Sequence, residues 1–286
     1  MSLKLAAFVD GSVYSASVCD HAAWLANLNA PSRIMVTHML GRRSRQSVPA
    51  DLSGNLSLGA RTDLLTKLSA ADEEWAQLAL ARGRAILEDV AARLAEKTEA
   101  AVETRLRHDD LADAVAEQDA DVIVVGKRGE ASGYAREHLG SNLERVLRGS
   151  DKPVLVANYE FSPIERCLIA YDGGTSIAKA VRYLSGTDAS AYAGIEFHIL
   201  KAGEDTPDVR AELEGVAATL KQAGLTATWE IRAGEPEQAI PDVAVEKKSQ
   251  MLIMGAYGHS RIRNLIIGST TTSLVRSCRL PILMFR

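Results

Sequence analysis

Aromatic residues are scarce in this 286-residue chain, with three Trp, seven Tyr and four Phe making up 5% of it. That is poor material for the stacking platforms that hold single-stranded nucleic acid. A basic excess is missing as well. Lys plus Arg number 33 against 37 Asp plus Glu, a formal net charge of −4, whereas a dedicated nucleic-acid binder carries a basic face. No nucleic-acid partner is therefore expected, and the short cluster Arg42, Arg43 and Arg45 reads as solvated loop charge. Cysteine is limited to Cys19, Cys167 and Cys278, far apart and without a CxxC or Cys/His spacing, which excludes a disulfide scaffold and a metal knuckle. Each reads as a small buried residue in a reducing compartment, and the cytoplasm is the expected location. Long apolar runs are absent too. None approaches the roughly 20 residues of a membrane span, and residues 3–9 are too short for a signal-peptide core before Asp10. Neither GxxxxGK[ST] nor GxGxxG occurs, which argues against a P-loop NTPase and a standard dinucleotide fingerprint. What is present is Ala, Leu and Val in plenty, with 47% apolar and 24% charged residues. That composition suits helices packed on a β-sheet.

The chain repeats itself. LAAFVDGS at 5–12 returns as LIAYDGGT at 168–175, and VIVVGKRG at 122–129 returns as LIMGAYG at 252–258. LGSNL at 139–143 matches IGSTT at 267–271, and KPVLVA at 152–157 matches LPILMF at 280–285. Four blocks in the same order give two domains, 1–158 and 164–286, with a boundary at NYEFSPIE. The first half is longer, and its extra residues fall between 41 and 75, where periodicity is weak. That insert reads as a long loop, or a loop with a short helix.

Within each half, short apolar runs alternate with helical patterns. The expected strands are 3–9, 33–39, 101–106, 121–126 and 153–157, then 166–171, 194–200, 225–231, 251–255 and 281–285. The expected helices are 14–29, 67–98, 109–119 and 141–149, then 175–187, 207–223, 236–249 and 269–278. VIVVG and MLIMG are apolar at successive positions, as parallel strands covered on both faces are. The fold class is α/β, with two tandem doubly wound, Rossmann-like parallel sheets whose ligands bind beyond the carboxyl ends of the strands.

The segment 251–273 carries the most chemistry. A strand ends at Gly255, Gly258 follows after two residues, and Gly268 comes nine residues later, ahead of Ser269 and Thr270. Glycines at the turn let a ligand approach the backbone closely. Gly268 and Ser269 open a helix whose free N–H groups favour an anion, and the two hydroxyls add donors to phosphate oxygens. Asp172 ends the first strand of that half, as Asp10 does in the other. Each could accept from a ribose hydroxyl or an adenine amino group, or simply cap its own Asp-Gly turn.

The glycine spacing, the two early aspartates, His38 and His198 in the second strands, and the closing strands resemble the universal stress protein family. The resemblance spans essentially the whole chain, as two tandem copies. It implies a five-stranded parallel sheet per domain in the order 3-2-1-4-5, and an ATP site, with Mg²⁺ left open. Carried over to this chain, that site is Asp172, Ile199, Gly255, Gly258, Gly268, Ser269 and Thr270. The first-half counterparts are Asp10, Met39, Gly126, Gly129, Gly140 and Ser141. They depart from the pattern, since ten residues separate Gly129 from Gly140 and Asn142 replaces a hydroxyl. The second half is therefore expected to hold the better site. The resemblance also implies an intrachain pseudo-dimer, with 153–157 and 281–285 as candidates to pair, and it leaves a further homodimer open.

Other residues read more simply. His38 and His198 fit structural roles inside apolar strands. His259, Arg261 and Arg263 could touch phosphates or be solvated. Asp109 with Asp110, and Glu235 with Glu237, suit helix starts, with Pro236 at the first helical position. Trp24, Trp75 and Trp229 are expected to pack cores. No catalytic constellation stands out, so a nucleotide-binding regulatory protein acting in stress response is favoured over a true ATPase. An ATP-hydrolysing or adenylate-forming enzyme and a non-nucleotide binder or scaffold are the alternatives.

Overall fold

In the computed structural model the described residues are 2–40, 58–128, 141–186, 188–256 and 269–286. The first half runs β1 (Leu3–Val9), α1 (Tyr14–Leu28), β2 (Ser32–Met39), α2 (Leu58–Ala95), β3 (Ala101–Arg107), α3 (Leu111–Ala116), β4 (Val122–Gly126), α4 (Ser141–Gly149) and β5 (Val154–Ala157). The second runs β6 (Arg166–Ala170), α5 (Thr175–Leu184), a 3-10 turn (Ala189–Tyr192), β7 (Glu196–Ala202), α6 (Pro207–Gln222), β8 (Thr226–Arg232), α7 (Pro236–Glu246), β9 (Met251–Gly255), α8 (Ser269–Ser277) and β10 (Ile282–Phe285).

Among the described residues ten strands form one sheet in the order β3-β2-β1-β4-β5-β10-β9-β6-β7-β8. Each half thus has the doubly wound order 3-2-1-4-5 and is internally parallel. The closing strands β5 and β10 pair antiparallel, Leu155 opposite Leu283. The apolar runs are explained by burial from both sides. Leu5, Ala7 and Val9 face one core layer with α1, α2, α5 and α6, while Ala6 and Phe8 face the other with α3, α4, α7 and α8. Both layers continue across the β5–β10 seam, so the halves share their cores.

Side chains lock the seam. Asn158, just past β5, donates to the Arg279 carbonyl beyond α8, and Arg286, just past β10, donates to the Arg148 carbonyl in the last turn of α4. Cationic and amide donors at a helix C-terminus satisfy carbonyls that the helix itself leaves open.

Two expectations change. The helix expected over 67–98 begins nine residues earlier, since α2 starts at Leu58 and runs 38 residues, about 57 Å, so 58–66 of the expected insert is helical. Residues 41–57 of the expected insert lie outside the described residues. Trp24 and Trp229 do pack against the core, but Trp75 is 62% exposed. Helix α2 packs closely on the sheet at Gly83. A Cβ there would sit 2.7 Å from Leu106 Cδ1 and 3.0 Å from His38 Cδ2.

Candidate functional site

The two halves build the turn after their first strand in the same way. Gly11 and Gly173 have φ of +75° and +79°, a backbone region that is cheap only for glycine. The preceding aspartates brace these turns. Asp10 Oδ1 accepts from the Ser12 N–H at 2.9 Å, and Asp172 Oδ1 accepts from the Gly174 N–H at 2.8 Å. Both carboxylates are thus held at the carboxyl edge of the sheet by their own turns.

Beside each aspartate, across the point where strand order reverses, a central strand ends in glycine. Gly255 ends β9, which pairs with β6, and Gly126 ends β4, which pairs with β1. A Cβ on Gly255 would lie 3.0 Å from Ser176 Cβ and 3.3 Å from the Ile177 backbone N, and one on Gly126 would lie 2.9 Å from Tyr14 Cβ. Absence of a side chain is what lets the first turn of α5, or of α1, close over the strand end.

Helix α8 brings its start to the same place. Thr271, in its first turn, is 4% exposed and donates through Oγ1 to the Ala256 carbonyl at 3.2 Å. This bond fastens the N-terminal end of α8, with the backbone of Ser269 and Thr270, to the end of β9. Asp172, Gly255 and the α8 start therefore converge at the β6/β9 switch point. Such a crevice is where doubly wound sheets take ligands, and the helix end offers backbone donors to an anion. Gly258 and Gly268, like Gly129 and Gly140 in the first half, lie outside the described residues, as do His259, Arg261 and Arg263.

Sheet register moves one position. Phe8 pairs with Thr37, so Met39 lies level with Asp10, whereas Ala170 pairs with Leu200, so Ala202 lies level with Asp172. The next residues agree, since Leu40 N–H donates to the Arg107 carbonyl and Gly203 N–H to the Arg232 carbonyl. Ile199 is three residues inside β7 and fully buried, and His198 is not level with His38. His198 plays the structural part expected of it. Its Nδ1 lies 2.8 Å from Thr228 Oγ1 and its Nε2 3.1 Å from Glu230 Oε2, while burial and nearby Lys247 lower its pKa. Lys201 takes the level of His38 instead. It pairs with Glu212 at 2.9 Å and sits 5.5 Å over the Tyr171 ring, whose hydroxyl donates to Glu212 at 3.1 Å. Burial, then Glu212, pushes the Tyr171 phenol up to about 12.

The first half is built differently around its crevice. Lys127 occupies the position that Ala256 holds in the second half, each N–H donating to the closing strand of its own half. The Lys127 side chain is buried and its ammonium donates to the Cys278 carbonyl beyond α8, so it is spent on the other half. Burial lowers its pKa. Helix α2 also presses on the turn after β1, since a Cβ on Gly11 would be 2.6 Å from Ile86 Cδ1. Comparing the repeats residue by residue after Gly126 and Gly255 gives the signal for Lys127. Ala202 and the role of Thr271 had none, because both depend on pairing that apolar periodicity does not fix.

Among the described residues no cluster of His, Cys, Asp or Glu could hold a metal ion, and no helix is long and apolar enough to cross a membrane.

Comparison with known proteins gives a consistent result. A family model described as "Universal stress protein family" matches residues 1–158 and 184–286. Universal stress protein Slr1230 of Synechocystis sp. is 34% identical over 282 residues, covering 97% of each chain. Among solved structures, a universal stress protein from Archaeoglobus fulgidus DSM 4304 aligns with a TM-score of 0.66 at 21% identity, covering 99% of this chain and 96% of that one. A putative universal stress protein from Pseudomonas aeruginosa aligns with a TM-score of 0.61 at 12% identity, covering 99% and 92%.

Proposed function

The chain belongs to the universal stress protein family, and from that premise we propose that it is a nucleotide-binding regulatory protein of the stress response. It holds ATP at the carboxyl edge of its second half. The observation that carries this reading is the convergence of Asp172, Gly255 and the start of α8 at one switch point, fastened by the Thr271 hydroxyl on the Ala256 carbonyl. The residues present fit the group. The α8 backbone N–H groups, with Ser269 and Thr270, receive the phosphates, and Asp172 receives the ribose. Gly255 leaves room for close approach, and Gly258 and Gly268 complete the loop. The edge backbone at Ala202, level with Asp172, takes the base contact in place of Ile199. Mg²⁺, where it accompanies ATP, is held by the phosphates.

The first half, with Asp10, Met39, Gly126, Gly129, Gly140 and Ser141, is the weaker site. Lys127 is committed to the Cys278 carbonyl and Ile86 crowds Gly11. The two domains, 1–158 and 164–286, form an intrachain pseudo-dimer, and the protein works in the cytoplasm. Isothermal titration of ATP into the full chain tests this reading. Asp172→Ala should weaken binding about tenfold or more, in line with the loss of a charged hydrogen-bond partner, while Asp10→Ala leaves it nearly unchanged. Equal losses in the two variants would place binding elsewhere.

A further inference from the structure

A groove of about 640 Å³ runs over the carboxyl ends of β7 and β8, between the starts of α6 and α7. Gly203 and Gly234 line it, and a Cβ on either would meet nothing within 4 Å. Half-buried Ile231 supplies an apolar wall. Three carboxylates stand around it, Glu204, Asp205 and Glu235. Asp205 is spent on Arg210 at 2.6 Å. Among the described residues Glu204 and Glu235 have no ion pair and no side-chain hydrogen bond, and Glu235 precedes α7 without capping it. We propose that this groove receives the base of the bound nucleotide, and that Glu204 and Glu235 select a base carrying an exocyclic amino group. The inference rests on the nucleotide reading of the second-half crevice and names what that crevice discriminates.

Three observations carry it. The first is reach. Asp172 follows β6, which has β9 on one side and β7, then β8, on the other. With the phosphates at the α8 start beyond β9, a ribose at Asp172 sends its base the opposite way. The ends of β7 and β8 lie about 5 and 10 Å off in that direction, one and two strand spacings. The second is chemistry. An ionised carboxylate only accepts hydrogen bonds, and the N6 amino group of adenine donates them. Two unspent acceptors beside an open glycine-lined wall suit a flat ring with an amino edge, which approaches backbone closely where no Cβ intervenes. The third is contrast with the first half. There Leu40 stands at the level of Gly203, each N–H donating to the third strand of its own half, and Leu40 is buried. Asp110 precedes α3 as Glu235 precedes α7, but it is engaged by Arg145 and by the Ala112 N–H. The half that is the weaker nucleotide site thus has a leucine for the glycine and a carboxylate already in use.

Titration of the full chain with two nucleotides tests the selection. One is ATP. The other is purine riboside triphosphate, which is ATP without the N6 amino group. The wild-type chain should bind ATP about tenfold or more tightly than the analogue, as a hydrogen bond to a charged group provides. The double variant E204A/E235A should bind the two alike, with the loss falling on ATP. Both side chains are exposed, so its circular dichroism spectrum should match wild type. General charge effects cancel in the ratio, because the triphosphate is common to both ligands, and a coupling between carboxylates and amino group is what remains. Equal wild-type affinities overturn the proposal, and so does a double variant that keeps the wild-type ratio. In either case ATP binding that still depends on Asp172 leaves the nucleotide reading standing. A chain that binds neither ligand overturns both.

Discussion

At Glu230, burial raises the carboxyl pKa, but hydrogen bonds from Lys247 and Arg232 outweigh it and hold the group at about 2, below its ordinary 4.5. Lys247 Nζ lies 2.9 Å away and Arg232 Nη2 2.7 Å away. A carboxylate depressed in the folded state stabilises fully above its unfolded pKa and loses that contribution as pH falls through the folded value. Thermal melts should therefore separate wild type from Glu230→Gln by about 3 °C at pH 7. The gap should close between about pH 4.5 and 2, and a gap independent of pH would show that the ion pairs are not its source. Much at this scale was legible in the sequence. Asp-Gly pairs announce turns, and Asp10 and Asp172 do brace them. The three cysteines are buried, as their apolar neighbours suggest, and burial raises each thiol's pKa. The level of Ile199 was not legible, because a histidine inside an apolar strand looks the same in every register. Only pairing with β6 tells His198 from Lys201.

Helices and strands follow apolar periodicity wherever both ends are chemically marked. Pro236 opens α7 behind Glu235, and the Asp110 carboxylate caps α3 by accepting from the Ala112 N–H at 3.0 Å. Where such marks are missing, the boundaries slip. No acidic residue lies in the first turn of α2, so its true start, nine residues before the expected one, left no trace in the pattern. The expected helix 109–119 shrinks to Leu111–Ala116. Arg107, just outside it, engages Asp109 at 2.5 Å and Glu117 at 2.6 Å. At the element scale the account depends on the joint between β9 and α8. Thr271→Val keeps shape and removes the hydroxyl, leaving the buried Ala256 carbonyl without that donor. A loss of about 1–2 kcal/mol in denaturant unfolding is expected. ATP affinity should fall with it, since the α8 start is no longer fastened to the strand end. Unchanged affinity in a destabilised variant would separate the joint from the site.

For the whole molecule, the repeat read from four sequence blocks becomes one sheet of ten strands with a two-fold seam at β5 and β10. The doubling was legible because strand-turn motifs keep their identity across the halves. The shared cores were not, since they depend on which faces meet at the seam. Those cores predict that cleavage between residues 158 and 165 leaves the halves together, with a nicked protein eluting from size exclusion as the intact one does. Separation on nicking would mean that the linker, not the seam, joins them. The central claim is one nucleotide per chain, held by the second half. Native mass spectrometry of the full chain with ATP tests it most directly. The account predicts one ATP per chain, retained in Gly126→Val and lost in Gly255→Val. Two equivalent ATP molecules, or loss in Gly126→Val with retention in Gly255→Val, would contradict it.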